Sequence, residues 1–202
     1  MSGPSLWFTR HGETEWSRAG RHTSRTDIPL TSEGEREALL LGQAVSGTDF
    51  DLILSSPQQR ALHTAQLAGL AASVDQDLTE WDYGELEGLT LDEIRAIYPG
   101  WTIWDGPWPG GETAEQVAAR ADRVVRRVLD LPEGASALFV SHGHILRVIA
   151  ACWLRQPARA GRLFSLATAT LSVLGWEHGE PAVRCWNIPP SHASALADGL
   201  AS

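Results

Sequence analysis

Two histidines in this sequence stand where a nucleophile or an anion ligand would be useful. The first lies in Arg10-His11-Gly12-Glu13-Thr14, directly after the apolar run Leu6-Trp7-Phe8-Thr9. A histidine at the exit of a buried strand sits at a sheet edge. There Gly12 lets a ligand approach the backbone closely, and Arg10 offers a guanidinium fork that matches phosphate oxygens. The second lies in Ser141-His142-Gly143-His144, at the exit of Ala137-Leu138-Phe139-Val140 and at the start of a helix. Free backbone N–H groups and the helix dipole favour an anion at such a start. Singly, each has an ordinary reading, a surface loop or a polar helix cap. Two strand-exit His-Gly pairs in one chain weaken it.

Two further groups join them. Arg60 falls in the first turns of a helix that Ser56-Pro57 opens, reading as N-cap and first-turn proline. A cation there opposes the dipole unless an anion such as phosphate is near. Glu80 follows a strand candidate at 74–78, and its neighbours Trp81 and Tyr83 would desolvate the carboxyl and suit it to general-acid work. Glu13 and Asp82 are weaker rivals for that role, and Glu85 and Glu87 read as solvated or structural. His22 is within conceivable reach of a substrate, His144 reads as a partly buried helix histidine, and His63, His178 and His192 read as surface residues. Trp101, Trp104 and Trp108 read first as packing for a flap and second as a pocket wall. Arg21 and Arg25 are candidates for a second anion contact.

The elements that must position these groups alternate. Strands are predicted at 6–9, 51–55, 74–78, 137–141, 169–176 and 182–186, with helices from Thr31-Ser32, from Ser56 to about Leu70, at 91–97, 113–129 and 144–154. Alternation of this kind predicts an α/β fold, a three-layer sandwich with a mostly parallel central sheet flanked by helices. Ligands bind outside the carboxyl ends of strands in open α/β sheets, so the strand exits at residues 10–11, 55–60, 80 and 141–142 point to one crevice. One domain over 1–190 is expected. A small lid or flap insertion is expected at 81–112, where Trp, Gly and Pro concentrate, and a flexible tail from 191 to 202.

The chain of 202 residues carries a formal charge of −9, and all sixteen of its basic residues are arginine. That balance, with no basic run, excludes nucleic acid and anionic membrane as natural partners but not a small anionic metabolite in a locally positive pocket. Cys152 and Cys185 are far apart, match no metal-ligand spacing and read as reduced thiols. No run is long and apolar enough to cross a bilayer, and the cytoplasm is the expected compartment.

Together the motifs resemble the histidine phosphatase superfamily, also called the phosphoglycerate mutase-like family. Arg10-His11-Gly12-Glu13-Thr14, Ser55-Ser56-Pro57 with Arg60 and Thr64-Ala65, Glu80 with Gly84 and Glu87-Gly88, Gly111-Glu112-Thr113, and Ser141-His142-Gly143 occur in the family's order over about residues 6 to 150. The resemblance implies a metal-independent, cofactor-free phosphomonoesterase working through a phosphohistidine on His11, with Glu80 as proton donor and a small phosphorylated metabolite as substrate. It implies that Arg10, Arg60, Gly143 and a protonated His142 bind the phosphoryl group. Ser17 and Thr23 stand where many members carry asparagine and glutamine, and become candidate phosphate ligands. The local pattern from Trp16 to Thr23 looks like acid and sugar phosphatases, sedoheptulose 1,7-bisphosphatases among them. The alternatives are a phosphoglycerate mutase, which needs a more enclosing cap than residues 80–142 provide, and a non-catalytic phospho-ligand-binding module, which the intact residue set disfavours. Oligomeric state is open, with a homodimer among the options.

Overall fold

A computed structural model describes residues 3–195 of the chain. Its framework is one six-stranded sheet in the order β3-β2-β4-β1-β5-β6. Strands β1 (Ser5–Arg10), β2 (Leu52–Ser55), β3 (Ser73–Val74) and β4 (Ser136–Ser141) run parallel, while β5 (Leu171–Glu177) and β6 (Glu180–Ile188) form an antiparallel hairpin beside β1.

Alternation along the central strands sorts side chains onto two faces. Leu6 and Phe8 of β1, with Ala137 and Phe139 of β4, join the main core beneath α5 (Ala114–Leu129) and α6 (Gly143–Trp153). Trp7 and Leu138 turn to the other face and meet Leu41 and Val45 of α2 (Ser32–Val45). Each fully buried Leu or Phe contributes roughly 1.5–3 kcal/mol, so these pairings fix the register firmly. The result is the expected three-layer α/β sandwich.

That register places the chemistry. In the β1–β4 ladder Arg10 is the partner of Ser141, so the next residues, His11 and His142, leave the sheet side by side. The His11 backbone N–H donates to the Ser141 carbonyl at 2.8 Å. A one-residue slip would turn every one of these side chains to the wrong face.

Several expectations shift in detail. Helix α3 spans Gln59–Leu67 rather than 56–70, and its N-cap Gln58 makes no side-chain cap bond. The Ser56 hydroxyl is instead engaged with Gln58 and His142. The strand expected at 74–78 is two residues long and gives way to a 3-10 turn at Gln76–Leu78, because β3 is an edge strand paired with β2 alone. The start of the expected flexible tail is folded: Pro190–Ala195 form a 3-10 turn against α2. Residues 196–202 lie outside the described residues.

The segment 81–112 is not a detached flap. Trp81, Trp101 and Trp104 are buried in the main core with Ile94 of α4 (Leu91–Ile97) and Ile103. The indole N–H of Trp81 donates to Glu112 O at 2.8 Å, that of Trp101 to Pro107 O at 2.8 Å and that of Trp108 to Ile103 O at 2.7 Å. No helix among the described residues is long and apolar enough to cross a membrane.

Candidate active site

His11 is 4% exposed at the carboxyl end of β1. Its Nδ1 lies 2.7 Å from the Gly12 carbonyl oxygen. A carbonyl can only accept, so Nδ1 carries the proton and Nε2 carries the lone pair. Burial, with Arg10 and Arg60 nearby, pushes the His11 pKa well below the usual histidine value, so the ring is neutral near pH 7. The loop behind it is tightly seated. Gly12 N donates to Thr64 Oγ1 at 3.0 Å, and a Cβ on Gly12 would stand 2.3 Å from the Gly34 carbonyl oxygen.

Beside His11 a cleft of about 240 Å³ is bordered by Arg10, Ser17, Thr23, Glu80 and Gly143 from the expected set. The Arg10 Nη1 donates to Leu166 O at 3.1 Å, while its Nε is buried without a hydrogen-bond partner among the described residues. A buried donor without a partner is costly unless something arrives to accept from it. Glu80 is buried and accepts from three backbone amides. Its Oε1 receives Trp81 N and Ile145 N, both at 2.9 Å, and its Oε2 receives His144 N at 3.0 Å. The apolar enclosure expected around Glu80 is therefore corrected: its carboxyl caps the N-terminus of α6. Oε2, with one amide partner, is the oxygen nearer Gly143 at the cleft.

Arg60 and His142 are fully buried beside His11, and neither borders the cleft. Arg60 donates from Nη1 to Thr26 O at 3.0 Å, from Nη2 to Thr23 O at 3.3 Å and Ser24 O at 3.0 Å, and from Nε to His142 Nδ1 at 3.1 Å. Backbone carbonyls, rather than an anion, offset its position against the α3 dipole. His142 departs from the expected protonated form. Its Nδ1 accepts from Arg60, its Nε2 faces Ser56 Oγ at 2.7 Å and Gln58 Oε1 at 3.0 Å, and burial followed by Arg60 and His11 drives its pKa well down.

Ser17 and Thr23 border the cleft with their hydroxyl protons already committed. Ser17 Oγ donates to Thr14 O at 3.0 Å within the capping box of α1 (Glu15–Arg18), and Thr23 Oγ1 donates to Arg21 O at 3.2 Å. Glu13 accepts from Thr31 Oγ1 at 2.8 Å away from the cleft, and Asp82 pairs with Arg25 at 2.5 Å. His22 does border the cleft, its Nδ1 donating to Leu89 O at 3.0 Å.

Tyr83, His144, Arg147 and Leu166 border the cleft and lie outside the expected set. The Tyr83 hydroxyl and His144 Nδ1 are 2.6 Å apart. Arg120 lies outside that set too. It donates to Asp77 O, Thr79 O and Glu80 O at 2.9, 2.6 and 3.1 Å and chelates Glu112 with two bonds of 2.9 Å. A sequence signal existed, since Arg120 is the charged member of an otherwise apolar stripe of Val117, Ala121 and Val124. Among the described residues no group of three or more His, Cys, Asp or Glu could hold a metal ion. Cys152 and Cys185 are unpaired, and burial pushes the Cys152 thiol up to about 12.

A parallel sheet whose carboxyl edge gathers a neutral histidine, an under-partnered arginine and a buried carboxyl defines an α/β protein built to receive an anion and react with it. The chain belongs to the histidine phosphatase superfamily, branch 1, whose family model matches residues 6–189. It is 42% identical over 177 residues to an acid phosphatase of Mycobacterium tuberculosis, covering 86% of this chain and 87% of that one. It is 35% identical over 182 residues to a sedoheptulose 1,7-bisphosphatase of Saccharomyces cerevisiae, covering 74% and 67%. The solved structure of an open reading frame product from Mycobacterium tuberculosis superposes with a TM-score of 0.89 at 40% identity, covering 92% of this chain and 98% of that one.

Proposed function

We propose that the chain hydrolyses phosphate monoesters of small sugars or related metabolites through a phosphohistidine on His11. The observation that carries this is the Nδ1 bond of His11 to Gly12 O at 2.7 Å, which frees Nε2 beside the unpartnered Nε of Arg10. In the first half-reaction Nε2 forms a bond to phosphorus as the P–O ester bond breaks. The leaving alkoxide takes a proton from Glu80 Oε2. In the second, water attacks phosphorus, gives its proton to Glu80, and the N–P bond breaks to release phosphate. Arg10 and the Gly143 end of α6 face the equatorial oxygens. Arg60 and His142 act from behind: Arg60 helps hold His11 neutral and ties down residues 23–26.

The small cleft and the sugar bisphosphatase relative support a metabolite substrate. Hydrolysis is favoured over mutase chemistry because the segment 81–112 packs into the core, leaving Ser17, Gly20 and Arg21 at a solvent-accessible rim. The unpaired cysteines support a reducing compartment, the cytoplasm.

The test is phosphate release from sugar mono- and bisphosphates, 3-phosphoglycerate, nucleotides and an aryl phosphate in excess chelator. Release that survives chelator and falls on the order of 10⁴-fold in His11→Ala is expected. Release that persists in His11→Ala overturns the reading.

A further inference from the structure

We infer that Arg147 receives a second anionic group of the substrate, a phosphate or a carboxylate carried on the leaving-group side. This rests on the phosphatase reading above and deepens it. Arg147 borders the same cleft as His11 and Arg10. Its Nε donates to Gly161 O at 3.0 Å, and its guanidinium carbon lies 4.7 Å from the centroid of the Trp104 ring. The two terminal nitrogens donate to no other described residue, and no carboxylate among the described residues lies within ion-pair distance of them. The side chain is thus clamped at one edge and one face, with its planar fork open.

The cradle is built closely. A Cβ on Gly161 would stand 2.6 Å from the Trp104 ring and 3.2 Å from the Arg147 carbonyl, so glycine is what lets the indole slide under the arginine. His144 adds an edge contact to Trp104 at 5.5 Å. Burial, then Arg147 itself, drives the His144 pKa well down, so His144 adds no competing charge.

The other cations expected to meet a second anion are committed. Arg25 pairs with Asp82 at 2.5 Å, and Arg21 Nη1 donates to Gly88 O at 2.6 Å and Glu93 at 3.3 Å. Glu80, the carboxylate that borders the cleft, is held by backbone amides and faces both Arg10 and Arg147. Two guanidinium groups therefore stand against a single carboxylate in one cleft of an acidic chain. Gly143 and Arg147 are four residues apart on α6, so they lie on one face of the helix about 6 Å apart along its axis, and both border the cleft.

The experiment compares kcat/KM for fructose 1,6-bisphosphate, for 3-phosphoglycerate and for 4-nitrophenyl phosphate, whose tail is uncharged, in wild type, Arg147→Met and Arg147→Lys. The wild type is expected to prefer at least one doubly anionic ester, and which one distinguishes a second phosphate from a carboxylate. Arg147→Met should lower the ratio of that value to the aryl value by about ten- to hundredfold, mainly through KM, since a charge-assisted pair is lost. Arg147→Lys should restore part of it, because charge returns without the fork. A ratio unchanged in Arg147→Met, or equal losses on all three esters, overturns the inference while leaving the phosphatase reading intact. Turnover in His11→Ala would overturn that reading instead, whatever the ratio.

Discussion

At the residue scale the site works by deciding which atoms are already occupied. The Gly12 carbonyl accepts from Nδ1–H of His11, which in the proposed mechanism leaves Nε2 as the attacking atom. Two amides occupy Glu80 Oε1 and one occupies Oε2, which is why the proposed mechanism gives the proton to Oε2. Removing that proton should matter most when the departing oxygen is basic. Glu80→Gln is therefore expected to slow alkyl phosphates by about 10²-fold and aryl phosphates far less. A leaving-group series of kcat values checks this, and equal slowing of alkyl and aryl esters would assign the proton elsewhere. That His11, Arg10 and Glu80 meet at one cleft was legible in the sequence, because all three stand where ligands gather in an open α/β sheet. Ser17 and Thr23 do reach the cleft, but their local hydroxyl bonds to Thr14 O and Arg21 O depend on turn geometry that residue type alone does not give. The state of His142 could not be read either, since its Nδ1 partner Arg60 is 82 residues away.

At the element scale, helix α5 holds the loop that carries Glu80 from outside the cleft. All of the Arg120 donors are used, on three loop carbonyls and on Glu112. In the proposed mechanism Arg120 positions Glu80. Arg120→Met should cost about 2–3 kcal/mol, because it leaves three loop carbonyls without their donor and removes the charged partner of the partly exposed Glu112. Denaturant unfolding measures that cost. In whatever fraction folds, alkyl esters should suffer more than aryl esters, a split that a merely structural residue would not produce. Unchanged stability would contradict this account of α5. The helices themselves were legible from periodicity and caps, as with Thr113 and its capping-box partner Gln116 at the start of α5. Their ends were less so. Ser56-Pro57 reads as a helix start, but its hydroxyl serves His142 and the helix opens three residues later. The 81–112 segment looked like a lid because Gly and Pro interrupt its periodicity. Its tryptophans nevertheless find core partners that only the tertiary fold supplies.

At the scale of the whole molecule, an acidic chain encloses a small positive cleft and a set of neutral buried histidines. His11, His142 and His144 all have pKa values held well below normal, in each case chiefly by burial. The sign for stability follows by linkage. A histidine whose folded pKa is depressed binds its proton first in the unfolded chain. Its contribution is therefore complete above the unfolded value of about 6.5 and is lost as pH falls below it. With three such groups the slope approaches about 4 kcal/mol per pH unit below that point. Tm is thus expected to hold near pH 7–8 and to drop steeply between about pH 6.5 and 5. Calorimetry across that range checks it, and a Tm that stays level or rises on acidification would show that the histidines charge within the fold.

The proposed reaction passes through a covalent bond between His11 and phosphorus. Quenching the enzyme with alkaline denaturant during steady turnover of a good ester traps that bond, and mass spectrometry maps the phosphoryl group. A phosphoryl increment on the peptide that carries His11, stable to base, labile to acid and absent from His11→Ala, is the expected result. Product formation with no phosphoenzyme, or a phosphoryl group on any other residue, would contradict it.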